Sequence, residues 1–183
     1  SAHFGTTFYG QLSAAKLNEK APELAYPRPT DAERVRFSGR PAVQAIKRLE
    51  QIGYGNRATS LYTQLSQELG SVGEIALLAV MAEKNENHYL ALRVGKAAAF
   101  RGLDVGALSH PIGAIPAHAN ISGSGKALAY AIARQESEFN ISAVSKAGAR
   151  GRVQLMPEKA RSVATRNGMA LPAPKLKTDA AYY

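Results

Sequence analysis

The 183-residue sequence contains no cysteine, no histidine pair at metal-binding spacing and no long apolar run. Without cysteine the chain forms no disulfide and performs no thiolate chemistry, and this absence is compatible with any compartment. The four histidines are scattered, so that no two of them share one helix face at a spacing of four residues, and a zinc site is not expected. No apolar stretch approaches the roughly 20 residues that span a membrane.

Two further signals are missing. The first ten residues lack the basic cluster and apolar stretch of a secretory signal, which predicts either a cytosolic protein or a mature or trimmed chain. No segment alternates polar and apolar residues over a sustained length, so strands are not indicated. The sequence therefore predicts an all-α fold.

The charge is strongly basic. A net charge of +9 indicates attraction to an acidic partner, and nucleic acid, anionic lipid and anionic cell-wall polymer all qualify. Between Lys146 and Lys177 eight basic residues accompany a single acid, Glu158. A solvated surface explains such a run equally well. Aromatic residues are nearly absent from this stretch, so a base-stacking surface for nucleic acid is not expected.

Helix start signals recur along the first hundred residues. Thr30 with Glu33, and Ser71 with Glu74, have the spacing of capping boxes, in which two side chains satisfy free amides at a helix start. Pro41 suits a first helical position, and apolar residues follow it at three-residue steps. Paired helices of about thirty residues have the size of an α-solenoid unit, so we expect helix hairpins packed as a superhelix.

A change in composition between Ser109 and Gly125 marks a domain boundary, because prolines and glycines cluster there and Ser-Gly-Ser-Gly follows. The helix predicted after it carries Leu128, Ile132 and Glu136 on one apolar stripe. Burial there would favour the protonated form of Glu136, which could then donate its proton to a leaving oxygen. Two other roles remain open for Glu136: a buried ion pair, or a frayed helix end in solvent.

Several motifs follow this boundary in a fixed order. They are Arg134-Gln135-Glu136-Ser137, Phe139-Asn140, Ala143-Val144-Ser145, Gly148-Ala149-Arg150-Gly151 and Gln154-Leu155-Met156-Pro157. In order and spacing they closely resemble the opening motifs of the soluble lytic murein transglycosylase family. Further upstream, Arg36-Phe37 with the hairpin from Pro41 to Leu69 is similar to the linker domain that precedes the catalytic domain in that family.

The resemblance implies three segments. Residues 1–33 would end an α-superhelical region, residues 34–111 would form a helical linker domain, and residues 112–183 would begin a lysozyme-like, goose-type-like catalytic domain. The family's domain continues with further helices, one of them bearing an Ala-Tyr-Asn motif that has no match here. We therefore expect the catalytic domain to be truncated at Tyr183.

The resemblance also implies a reaction. Glu136 would be the catalytic acid and then base, Ser137 would support it, and Ser145, Gln154 and Met156 would line the substrate groove. In the family the Glu protonates the oxygen between N-acetylmuramic acid and N-acetylglucosamine, and the muramic 6-hydroxyl closes a 1,6-anhydro ring. An intramolecular hydroxyl can replace the second carboxylate of ordinary glycosidases. No metal or cofactor is required.

The same resemblance implies the partners and the location. Peptidoglycan glycan strands are the expected partner, cell-wall or envelope proteins are further candidates, and the periplasm is the expected compartment. One departure is Arg152-Val153, which stands where the family usually has Leu-Met and places a charge in the groove or near the anionic peptide stem. An alternative of a different class is a non-catalytic α-helical scaffold that binds cell-wall glycan or a protein.

Overall fold

The computed structural model describes residues 5–20, 24–116, 119, 123 and 125–168. The end of the predicted catalytic segment, with Lys175 and Lys177, and part of the predicted boundary lie outside these ranges. Within them every regular element is helical, apart from two isolated β-bridges at Arg150, and the predicted all-α fold class is confirmed. The elements are α1 (Phe8–Lys16), α2 (Asp31–Gly39), α3 (Pro41–Gln51), α4 (Gly55–Glu68), α5 (Val72–Lys84), α6 (His88–Phe100), the short 3-10 helix η1 (Gly106–Ser109), α7 (Lys126–Ser137) and α8 (Pro157–Arg166).

One of the two predicted capping boxes forms completely. At the start of α2 the Thr30 amide donates to the Glu33 carboxylate at 2.7 Å, and the Thr30 hydroxyl accepts from the Glu33 amide. At the start of α5 only the Ser71 half forms, because the Glu74 carboxylate turns away to the Arg40 guanidinium at 3.0 and 3.1 Å. A two-pronged contact with a cation is stronger than a bond to a neutral amide, which explains this departure from the predicted box.

The larger hydrophobic core is formed by the successive helices α2 to α6. Its largest fully buried side chains include Val43, Ile46, Tyr62, Leu69, Ile75 and Leu78. The Tyr62 hydroxyl donates to the Glu50 carboxylate at 2.7 Å, so the polar end of the buried ring has a partner. Helices α2 to α6 thus pack around one apolar interior, with α3 against α4 and α5 against α6.

A second, smaller core joins α6 to the segment that carries the predicted catalytic residue. It consists of Leu92, Ala114, Ile115, Ala133 and Phe139. The 3-10 helix η1 lies directly on α6 at Gly95, where an added Cβ would stand 2.2 Å from the Leu108 carbonyl oxygen. A residue without a side chain is therefore required at this crossing. The second core fixes α7 on the helical body and so determines where Glu136 lies.

The Glu33 carboxylate links two helix starts, because it caps α2 and also accepts a hydrogen bond from the Ser71 hydroxyl that caps α5. Hydrogen bonds from Ser71 and Thr30 lower its pKa from 4.5 to about 2. A carboxyl with a lowered folded-state pKa stabilises the fold above its unfolded value, and this contribution disappears as the pH falls from about 4.5 through about 2.

Glu33→Gln is therefore expected to lower the thermal unfolding midpoint near neutral pH, because the amide cannot replace the charged acceptor. The gap between the wild type and the variant should shrink as the pH falls from 4.5 toward about 2. Thermal unfolding followed by circular dichroism across this range measures it. Glu68→Gln, at the exposed end of α4, is the control. A gap of constant size at every pH would contradict the assignment.

Candidate active site

Glu136 lies in the last turn of α7, and its side chain is exposed. None of the residues that the structure describes forms a hydrogen bond or ion pair with its carboxylate. The predicted burial on an apolar stripe is wrong for this part of the chain, since Leu128 is 53% and Ile132 is 40% exposed. The buried face of α7 consists instead of Ala133 and Ser137, whose small side chains let the helix approach the rest of the fold closely.

The chain turns sharply just after Glu136. Glu138 and Phe139 both adopt left-handed backbone conformations, with φ of 54° and 65°. Such a conformation costs roughly 1–2 kcal/mol for a residue other than glycine. The turn brings Phe139 into the smaller core, where it is 2% exposed and meets the Tyr130 ring edge-on at 5.8 Å between centroids. Burial of this aromatic ring offsets the strain of the turn.

Ser137 ties the following loop to α7. Its hydroxyl is buried and donates to the Arg152 carbonyl at 2.6 Å. The loop of residues 138–156 is thereby held against the helix end that carries Glu136. The structure supplies this anchoring contact, whereas the predicted support of Glu136 by Ser137 in the reaction stays a prediction. Arg152, which stands where the related motif has an apolar side chain, is half-buried.

Two of the predicted groove residues build the internal framework of this loop. The Ser145 hydroxyl accepts a hydrogen bond from the Ala149 amide at 3.0 Å. The Gln154 amide group donates to the carbonyls of Gly151 and Ala143 at 2.8 and 3.3 Å. These bonds hold the loop in shape, and the exposed face of Ser145 remains accessible.

The third predicted groove residue, Met156, is 41% exposed and immediately precedes α8. The paired backbone bonds between Arg150 and Leu155, at 2.9 and 3.0 Å, place it at the end of the loop. The loop framework therefore leaves Glu136, Ser145 and Met156 at the surface of one continuous segment. Whether all three contact the same ligand stays a prediction.

The helix end is also attached to the body of the fold by charged side chains that the sequence did not reveal. Arg134 Nε donates to the Ser109 carbonyl of η1 at 2.8 Å, and Lys96 of α6 forms an ion pair with Glu138. Burial lowers the pKa of the Arg134 guanidinium, and the Glu138 carboxylate counteracts that shift. These partners lie 25 and 42 positions apart in sequence, so no local pattern could indicate them.

A half-buried histidine lies at the same contact. His110 Nδ1 is 2.9 Å from the Ser109 hydroxyl, and burial, followed by the charge of Arg134, lowers the pKa of His110. Neutral His110 therefore fits beside the Arg134 guanidinium without repelling it. His110 thus lies at the junction where Arg134 of α7 bonds to the Ser109 carbonyl of η1.

At the end of α7 the structure presents an exposed carboxylate, a type of group that can give or take a proton. Among the described residues, no group of three or more His, Asp or Glu side chains is placed to hold a metal ion. In the same ranges no helix has the length and apolar character to cross a membrane. This exposed carboxylate is that of Glu136, and its catalytic role stays a prediction.

Comparison with known proteins identifies the segment around Glu136. Residues 114–182 match the family described as the transglycosylase SLT domain, which confirms the family inferred from the motifs for this segment. None of the curated protein sequences compared with the chain matches it. The relationship is thus carried by the family match and by solved structures.

The fold resembles that of a much larger protein. The 70-kDa soluble lytic transglycosylase from Escherichia coli superposes with a TM-score of 0.65 at 23% identity, over 96% of this chain and 28% of the other. A complex of the 70-kDa soluble lytic transglycosylase with bulgecin A gives 0.64 and 23%, over 96% and 29%. At this identity the likeness establishes the fold, and the chain spans less than a third of the length of either structure.

Proposed function

We propose that this chain is part of a peptidoglycan lytic transglycosylase that cleaves the β-1,4 bond between N-acetylmuramic acid and N-acetylglucosamine and leaves 1,6-anhydromuramic ends. The observation that carries the proposal is the match of residues 114–182 to the transglycosylase SLT domain, at whose motif Glu136 is an exposed carboxylate. Residues 112–183 would form the first part of the catalytic domain, residues 34–111 the linker domain and residues 1–33 the end of a superhelix.

In this proposal Glu136 acts twice. As an acid it gives its proton to the glycosidic oxygen while the bond from that oxygen to C1 of the muramic acid breaks. As a base it takes the proton of the 6-hydroxyl, whose oxygen bonds to C1 and closes the anhydro ring. The hydroxyl belongs to the same sugar, so its high effective concentration replaces the second carboxylate that ordinary glycosidases use, and no water is consumed.

The pairing of Glu138 supports this one-carboxylate mechanism. Two glutamates stand near the end of α7, but Glu138 is committed to Lys96, whereas Glu136 is free of partners among the described residues. A carboxylate that already accepts a hydrogen bond from a lysine has less of its acceptor capacity free to meet a sugar. Of the two, Glu136 is therefore the group that can exchange a proton with a sugar.

Because Glu136 is exposed, a bound substrate would have to exclude water from its carboxylate. An acid that donates its proton near neutral pH works best in a water-poor environment. The described residues leave Glu136 open to solvent, so we propose that the glycan strand itself covers the carboxylate when it binds. Ser145 and Met156 would contact the strand beside it, while Ser137 and Gln154 would hold the loop in place.

Peptidoglycan strands are the proposed partner and the periplasm the proposed location. A net charge of +9 favours approach to an anionic cell-wall polymer, because opposite charge raises its local concentration. No metal or cofactor enters the proposed reaction.

Incubation of the full-length protein with purified peptidoglycan tests the proposal. We expect the turbidity of the suspension to fall and soluble muropeptides to appear. A pull-down with the same insoluble material, run in parallel, separates catalysis from binding. Binding without release of anhydro sugars would support the scaffold alternative and would contradict the enzyme assignment.

A further inference from the structure

We propose that Lys96 of α6 and Glu138 are positioning residues: their ion pair fixes the end of α7 on the preceding helical domain and so holds Glu136 in its working position. This inference rests on the proposed catalytic role of Glu136. It adds a functional contact between the two parts of the chain that neither the family match nor the motifs contain.

The geometry of the pair supports this role. Lys96 Nζ donates to the Glu138 carboxylate across a separation of 42 residues, and both side chains are only 26% exposed. Partial burial weakens solvent screening, so such a pair is better defined in position than one on an open surface. Glu138 is also the residue that ends α7, with its amide donating to the Arg134 carbonyl. The pair thus acts directly on the last turn, two residues from Glu136.

The surroundings of Glu138 are consistently positive. Besides Lys96, the Arg93 and Arg134 guanidinium groups lie close enough to be stabilised in their charged forms by Glu138. Arg93 and Lys96 belong to α6, and Arg134 belongs to α7. Without the carboxylate, the positive charges of α6 and α7 near this contact would lose the counter-ion that they share. Glu138 therefore joins the two helices electrostatically.

The backbone at this residue adds a cost that the ion pair can offset. Glu138 is in the left-handed region at φ 54°, where glycine or asparagine is more easily accommodated than glutamate. The contact of its carboxylate with Lys96 on α6 is one of the interactions that hold this turn in place.

The burial of Phe139 makes it possible to distinguish a positioning role of the ion pair from a purely structural role. Its ring is buried in the smaller core with Leu92 and Ala133, which keeps α7 attached to the fold without the ion pair. Loss of the pair should leave this packing in place and let the last turn of α7 move. We therefore expect the turnover number to change more than the stability.

The test uses the full-length protein with soluble muropeptide chains as substrate. Lys96→Met is expected to lower kcat about tenfold with little change in KM, because a small displacement of a reacting group is costly in rate. Lys96→Arg should restore kcat, since it keeps the cation. Glu138→Asn suits the left-handed turn but cannot reach Lys96, so kcat should fall while the thermal unfolding midpoint is maintained.

A matched control lies on the opposite end of the same helix. His88 at the start of α6 contacts the Glu83 carboxylate at 2.6 Å, with side chains exposed to a similar extent, 26% and 36%. His88→Asn removes that contact far along α6 from Glu138 and should leave kcat unchanged. An equal loss of kcat in this variant would overturn the positioning role in favour of general sensitivity of α6.

The outcomes distinguish this inference from the proposed function. If the wild type releases anhydro sugars and both Lys96→Met and Glu138→Asn keep its kcat, the positioning role is overturned while the function stands. If the wild type is inactive, the proposed function fails, and hydrogen exchange still tests the contact. Faster hydrogen exchange of the 134–139 amides in Lys96→Met would support the proposal that the ion pair fixes the end of α7, and unchanged exchange would overturn it.

Discussion

Glu136→Gln is expected to lower the rate of anhydro-sugar release by the full-length protein by about a hundredfold to ten-thousandfold, the usual contribution of general acid–base catalysis. The amide has nearly the same shape as the carboxyl group but cannot donate a proton to the glycosidic oxygen or take one from the 6-hydroxyl. Release of muropeptides followed by chromatography measures the effect.

This variant should fold normally, because Glu136 is exposed and has no partner among the described residues. Substitutions at such surface positions usually change the free energy of unfolding by no more than about 0.5 kcal/mol. Glu158→Gln is the matched control, since Glu158 is an exposed carboxylate in the first turn of α8 and has no proposed role in catalysis. Full activity of the Glu136 variant would remove it from the mechanism.

Gly95→Ala is expected to lower the free energy of unfolding by about 3 kcal/mol, at the upper end of the usual cost of overpacking. The added Cβ would stand 2.2 Å from the Leu108 carbonyl oxygen and 2.5 Å from its carbon, and backbone atoms cannot move aside as a flexible side chain can. The 3-10 helix η1 would have to lift off α6. Because the Ser109 carbonyl of η1 accepts a hydrogen bond from Arg134, the last turn of α7 would shift with η1.

Urea unfolding followed by circular dichroism measures this effect, and Gly39→Ala provides the control. Gly39 ends α2, and an added Cβ there meets no atom within 4 Å. In a helical position without contacts, alanine is expected to be neutral or slightly stabilising. Equal stability of the two variants would mean that η1 does not lie on α6 as the structure places it.

The helices of the first hundred residues could be predicted because their signals are local. The capping box of Thr30 and Glu33 involves residues three apart, and it forms as the spacing indicates. The second box fails at Glu74 because Arg40, 34 positions earlier, competes for the same carboxylate. Spacing identifies a helix start, but it cannot show which distant cation reaches a side chain.

The place of Glu136 on a helix could be predicted, but its exposure to solvent could not. Periodicity places Leu128, Ile132 and Glu136 on one face of α7 without indicating which face packs against the fold. The structure buries the face with Ala133 and Ser137, because small side chains allow the closest approach of helix and body. Apolar residues on a helix thus predict a core contact only when a neighbouring element is there to cover them.

The contacts that hold the site had no signal in the sequence. The left-handed turn at Glu138 and Phe139 uses residue types that rarely adopt it, so it could not be read from composition. The Ser137 hydroxyl, the Arg134 guanidinium and the Glu138 carboxylate all act on partners that only the fold brings near. The motifs therefore indicate a chemistry, whereas only the structure shows the contacts around the end of α7.

The most direct test of the account is to digest purified peptidoglycan with the full-length protein in water enriched in heavy oxygen and to analyse the muropeptides by mass spectrometry. Because the 6-hydroxyl supplies the attacking oxygen, the account predicts muramic ends that are one water lighter than hydrolysed reducing ends and carry no heavy oxygen. It also predicts that Glu136→Gln produces none of these ends. Reducing ends labelled with heavy oxygen would show a hydrolase and would contradict the account.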